Sequence, residues 1–395
     1  MANTKTSALN ALAGASIDAE ADYVPWLDSS ASELKKVLAG DIRAMLIQPN
    51  MLINGEFGFA QRQTPGTLTA ITTDKYSADR WRISRETASL QYARIDTNGS
   101  LESGITGRYY GQFKQITSAG KFAIYQPVEA INTFPLASRV VSFQCKLKAS
   151  SSKTIRLGLV QLNSSGTVDT INATVVPTWG SNSTDPTLAT NHARITPSAA
   201  VSNGSVSGSG ISCSVTTSWQ QFGGVFTMPS NAKNIIPMLW TDSQFSANDS
   251  LYVAEAGLYD GSALRAWLPR STQQELALCQ RYYAKNAGID TGPGDGATDF
   301  GQQFFSVAYD TSTANARIDF PVSMRIAPTA VSYRAANASA GKFGMYIDGS
   351  GWVDTTTTAL GAIYSSMLVT VTKTSSLASG KAYLTAGGWT ADAEL

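Results

Sequence analysis

Apolar and polar residues trade places one for one along much of this chain. Val141, Phe143, Cys145 and Leu147 alternate with Ser142, Gln144, Lys146 and Lys148. A period of two puts the first set on one face of an extended strand and the second on the other. Further short apolar or alternating runs, at 155–162, 222–228, 235–240 and 251–259, are bounded by Gly, Ser, Asn and Asp. Repeated short strands with no helices between them, from about residue 49 to about 270, predict a two-sheet antiparallel sandwich of jelly-roll type. After a glycine-rich loop at 292–296, strands are expected again at 303–309, 316–322, 330–334, 344–347, 367–372 and 381–385, as a smaller all-β domain.

Helical spacing is confined to two places. Ser30 with Glu33 makes a capping box, and Leu34, Val37, Leu38, Ile42 and Met45 follow at intervals of three and four, predicting a helix of about four turns. A lone amphipathic helix of that length is marginal in water, so its stripe must pack on the chain's own sandwich, on copies of itself or on another protein. Before it, residues 1–22 are small and polar and read as an extended arm, and Pro25 marks Tyr23–Leu27 as an edge strand. The second place is Thr272 with Glu275 ahead of Leu276, Cys279 and Tyr283, which predicts a short helix near 272–280. The residues just beyond, Arg281–Lys285, fit equally the first strand of the next domain. The expected organisation is thus an arm and helix over 1–48, a sandwich over 49–270 and a C-terminal β domain over 271–395. A long Ser, Thr, Asn and Gly-rich tract between Asn163 and Ser218 reads as surface loop, with ligand contact an open alternative.

Composition narrows the field. Hydrophobic residues make up 43% of the 395, ample for real cores, while charged residues make up only 15%, well below the roughly 25% of ordinary soluble domains. Thirty basic against 29 acidic residues leave a formal charge of +1, with no electrostatic footprint for nucleic acid or anionic membrane. No run approaches the roughly 18 apolar residues that a membrane helix needs, and the opening residues lack the apolar core of a signal peptide. Cys145, Cys213 and Cys279 are odd in number, far apart and set in apolar surroundings, the pattern of buried free thiols.

Catalytic chemistry finds no constellation. Asp290, Asp295 and Asp299 cluster in one loop, but among glycines this is also how a solvated turn reads. There is no G-x-S-x-G elbow, and the single histidine, His192, lies in the Ser/Thr-rich tract with no acid identified to orient it. The glycines at 292–296 lack the lysine of a phosphate-binding loop. The segment 348–354 spaces oxygen ligands between glycines but lacks an EF-hand glutamate, and a β-turn between strands accounts for it. No catalytic residue, metal site or cofactor is assigned. Sugar binding by exposed aromatic platforms fits better, and Trp179, Trp352 and Trp389, in Gly, Ser, Thr or Asp-rich surroundings, are the candidates; Trp81 and Trp240 read as core.

Four segments carry a family resemblance. They are Ser7–Ala15 with Asp22–Asp28 and Glu33–Lys36; Asn50–Arg62 (NMLINGEFGFAQR) with Tyr76–Trp81 (YSADRW); Leu251–Tyr283; and Phe320–Thr329 with Ala391–Leu395. Together they resemble bacteriophage tail-fibre and appendage proteins, in which an attachment segment leads into a jelly-roll module and a small C-terminal β domain. The resemblance implies a non-enzymatic virion part made in the bacterial cytoplasm, a homotrimer whose N-terminal segment meets other virion proteins and whose distal domains meet host glycan. On that expectation Leu34, Val37, Leu38 and Ile42 carry assembly. A head fibre or decoration protein would share every motif. A glycan depolymerase would share the anchor but should carry a long repetitive β-helix, and no such repeat is present.

Overall fold

The computed structural model describes residues 23–28, 33–38, 50–71, 75–295, 303–334, 340–374 and 377–395. The fold is mainly β, as the alternation predicts. In one sheet the strands run, side by side, Gly204–Ser207, Gly210–Val215, Lys153–Leu162, Asn234–Thr241, Phe122–Tyr125, Arg82–Arg85 and Lys75–Tyr76, with His192–Ile195 also on Lys153–Leu162. The facing sheet runs Pro197–Ser202, Gln220–Thr227, Val140–Ala149, Ser250–Asp260, Tyr109–Gln115, Leu90–Asp96 and Thr69–Ala70. Phe143, Cys145 and Leu147 from one sheet meet Ile155, Leu157 and Leu159 from the other in a single core. Each such side chain fully buried contributes about 1.5–3 kcal/mol. Trp81 and Trp240 are buried, as expected, and Trp81 stacks on Phe57 with ring centroids 4.8 Å apart. The three cysteines are free and buried.

Asn234–Thr241 is buried at every position, so it shows no alternation. Its outer side is covered by the polar tract: Ile171, Val175 and Val176 pack with Val160, Ile236 and Trp240. Part of the tract expected to be surface loop is therefore a lid on the sheet, and residues 192–215 supply four strands.

In the N-terminal segment Tyr23–Asp28 is a strand, as predicted, and Glu33–Leu38 departs from expectation. Glu33–Leu38 is not helical; it pairs antiparallel with Tyr23–Asp28, Leu27 opposite Leu34 and Val24 opposite Val37. A single short helix closes its hydrogen bonds at a steep nucleation cost, whereas a neighbouring extended run satisfies the same backbone groups by pairing. The spacing of Leu34, Val37 and Leu38 has no helix to act on there, and Ile42 lies outside the described residues.

The second predicted helix forms, over Thr272–Gln280, but its cap is Ser271, whose side chain accepts from Gln274 N. Beyond it, Tyr283–Lys285 pairs with Gly388–Asp392, which pairs in turn with Thr329–Tyr333. A further seven-stranded sheet runs Gly351–Asp354, Gly344–Ile347, Ala382–Ala386, Gln303–Ala308, Thr313–Asp319, Ser366–Thr372 and Thr357–Ala362. Its inner face and the three-stranded sheet share a second core that includes Phe343, Met345, Val369 and Trp389. The segment read as a turn is one: Gly349 and Gly351 both have positive φ, and Ser350 N donates to Ile347 O.

Candidate functional site

Segments far apart in sequence converge where the sandwich meets the C-terminal sheets. Arg270 of the Ala266–Arg270 crossover donates to the backbone oxygens of Asn50 and Leu52, and to the Glu275 carboxylate at 2.9 Å. Glu275, placed one turn into its helix, accepts from Asn54 N rather than closing a capping box. Gly55 permits this closeness, since a Cβ there would overlap the Ala256 carbonyl and stand 2.9 Å from the Trp267 ring. Deeper in the joint, Asp79 accepts from Gln61 N at 3.0 Å and Gln61 Nε2 at 2.7 Å, and Gln61 Nε2 also donates to Tyr283 O. Arg62 pairs with Asp392 at 3.0 Å and lies over the Tyr283 ring. Arg80 pairs with Glu394 and lies 3.5 Å from the Tyr282 ring centre. These are the residues of the second, third and fourth resembling segments, so much of that pattern encodes a joint.

At the edge of the joint a cavity of about 220 Å³ opens. Its walls are the Asn54–Phe59 turn, Arg94 and Tyr109 from adjacent strands, the crossover with Trp267 and Arg270, Glu275, and Asp290. Trp267 and Tyr109 are half-buried. Arg94 donates to Gly58 O at 2.8 Å and to Asp290 at 2.9 Å, and its guanidinium stands 5.0 Å from the Tyr109 ring centre. Glu56 accepts from Arg108 N and Tyr109 N, both through Oε1, which leaves Oε2 for a ligand hydroxyl. Burial pushes the Glu56 carboxyl above its ordinary range, against the two backbone donors that pull it down. Arg94 with Asp290 and Arg270 with Glu275 balance in charge, so Glu56 is the cavity's unbalanced carboxylate.

The expected contact residues are not brought together. Trp389 is 3% exposed and lies in the second core, packed on Phe320 with ring centroids 5.6 Å apart. Trp179 is half-buried against the lid of the sandwich. Trp352 lies half-buried on the outer side of the seven-stranded sheet, edge-to-face with Tyr346. The aspartate cluster divides: Asp290 pairs with Arg94, Asp295 accepts from Arg334 N and Gly341 N, and Asp299 lies outside the described residues. Backbone donors hold the Asp295 carboxyl below its ordinary range, as suits a turn residue. His192 Nδ1 bonds Thr190 O at 2.9 Å, and burial lowers its pKa, which favours the neutral ring. Glu56, Arg94, Tyr109 and Trp267 come from four segments, and no spacing in the sequence links them. Among the described residues no group of three His, Cys, Asp or Glu side chains is placed to hold a metal, and no helix is long and apolar enough to cross a membrane.

No protein-family model and no curated protein matches the chain. Solved structures do match over about half of it. TmCBM61 in complex with β-1,4-galactotriose matches at 12% identity over 54% of this chain and 100% of its own, with a TM-score of 0.30. The enzymatically active domain of tailspike protein 4 from bacteriophage CBA120 matches at 9% over 54% of this chain and 21% of its own, TM-score 0.32. The C-terminal family 22 carbohydrate binding module of Clostridium thermocellum Xyn10B matches at 11% over 50% and 96%, TM-score 0.29. Likeness at this level establishes neither family nor function.

Proposed function

We propose that the chain is a glycan-binding, non-catalytic subunit of a bacteriophage fibre or appendage, and that the cavity beside Trp267 takes one sugar unit of a host-surface polysaccharide. The cavity itself carries this reading. A half-buried indole offers the apolar face on which a sugar ring stacks, and Glu56 with the Arg94–Asp290 pair offers planar acceptors and donors for hydroxyls. Those polar groups are held in place before any ligand arrives, which lowers the entropic cost of binding. The four resembling segments supply the virion context. On this reading residues 1–48 attach the subunit to the particle, and several copies give weak single sites useful avidity. Calorimetry of the full-length protein with oligosaccharide fragments of bacterial surface polysaccharides tests it. Binding that Trp267→Ala weakens at least tenfold, with Trp179→Ala unaffected, supports the site; fragments that bind both variants alike refute it.

A hydrolytic reading draws on the convergence of Glu56 and Glu275 in one cavity, the first with a raised pKa. Glu275, however, is committed to Arg270 and Asn54 N, which leaves one free carboxylate where glycosidases use two. Reducing-end release that Glu56→Gln abolishes would establish hydrolysis in place of simple binding.

A further inference from the structure

Glu56 stands on the cavity wall without a cation of its own, while the charged groups that line the cavity with it are already engaged. Arg94 bonds Asp290 and Arg270 bonds Glu275, each at 2.9 Å. Two further charges act on Glu56, and both are engaged as well. Arg108 holds the two Asp96 oxygens at 2.8 Å, and Glu255 pairs with Lys146 at 2.9 Å. Each of these pairs cancels, so the charge in excess is negative and sits on Glu56. Its Oε1 takes Arg108 N and Tyr109 N, and among the described residues no donor goes to Oε2. Burial pushes the carboxyl up, and the negative fields of Glu255 and Glu275 push it further, as happens where no cation of the protein compensates.

We propose that the sugar unit selected by this cavity is an amino sugar with a free, protonated amine. The inference rests on the glycan reading of the cavity and adds the charge of its ligand. An ammonium group supplies both things that Glu56 lacks, a positive charge and hydrogen-bond donors, and such charge-assisted bonds are roughly twice as strong as neutral ones. A hydroxyl or an N-acetyl amide supplies a donor alone and leaves the carboxylate uncompensated. A uronic acid or a phosphorylated sugar brings a second negative charge to a wall whose two arginines are both engaged. Partial enclosure strengthens these differences, because less water screens them. The Trp267 indole works in the same direction, since an aromatic face attracts a cation placed over it. The chain as a whole carries a formal charge of +1, so it has no general attraction for cations and the preference is local to Glu56.

Ligand-observed NMR titration of the full-length protein at neutral pH tests the proposal. The methyl glycosides of glucosamine and galactosamine are set against their N-acetylated forms and against the parent hexoses, which carry a hydroxyl in place of the amine. The expected result is at least tenfold tighter binding of an amine than of its N-acetylated and hydroxyl counterparts. Glu56→Gln keeps a carbonyl oxygen for Arg108 N and Tyr109 N, and it should remove that advantage with circular dichroism unchanged. An N-acetylated or hydroxyl sugar that binds as tightly as the amine overturns the inference and leaves a site for neutral sugars. An amine advantage that survives Glu56→Gln overturns it too, as do polysaccharide fragments that bind in a Trp267-dependent way while neither amine binds. If no sugar and no fragment binds at all, the glycan reading of the cavity fails and takes this inference with it.

Discussion

Arg80 takes its charge to a place where 1% of its side chain meets solvent, and Glu394 is what makes that tolerable. Removing one partner of a buried pair strands the other, so Glu394→Gln should lower stability by about 3–5 kcal/mol, read as a fall in the urea midpoint. Nothing in the sequence around either residue announces the pairing; it exists only because the fold brings position 394 back to position 80. The cysteines were legible because each sits in an apolar run, and burial holds their thiols above the ordinary range. Native protein at pH 8 should accordingly resist a thiol reagent, and denatured protein should expose all three; reaction of the native protein would contradict the burial. Glu56 gives a pH effect of definite sign. Its pKa is raised in the fold, so folding favours the protonated form, and stability declines as the pH rises from the ordinary carboxylate range through the folded value. Glu56→Gln should flatten that part of a stability–pH curve and leave the rest unchanged.

Among the elements, the strands with alternation or a continuous apolar run were legible, as Val140–Ala149 and Asn234–Thr241 show, and those of weak contrast were not. Val140–Ala149 follows a two-residue period in its sequence, and Ser250–Asp260 does so until a bulge between Ala254 and Gly257 breaks it, whereas Thr357–Ala362 and Gly388–Asp392, with one large apolar residue each, carry too little hydrophobic contrast to show one. The helical spacing at Leu34–Leu38 misled because periodicity records which residues could share a stripe, while pairing with Tyr23–Asp28 decides what the backbone does. The capping box at Thr272 was close by one residue: Ser271 caps, and Glu275 is taken by Asn54 and Arg270. Ser271→Ala should cost about 1 kcal/mol, the usual worth of such a cap. Gly55→Ala should cost more, since the turn must retreat from the Ala256 carbonyl and Trp267; a drop of about 2–3 kcal/mol, of the kind overpacking produces, together with a weakened sugar site would tie the cavity to this turn.

For the molecule as a whole, the all-β class was legible from composition and alternation, but the cavity was not, because its walls come from segments as far apart as Asn54 and Asp290. The ion pairs and cation–π contacts of the joint tie the sandwich to the C-terminal sheets. Heating should therefore give a single transition in the native protein and two in Glu394→Gln, measured by calorimetry. The same joint has a consequence in time. Arg80 and Glu394 are 314 residues apart, which at cellular rates of synthesis is roughly 15–60 s of translation. Through that interval the nascent sandwich carries an arginine whose counter-charge has not yet been made. Its final locking is therefore an event that comes after synthesis of the last strand, and a ribosome stalled before residue 394 would hold an assembled but unlatched domain.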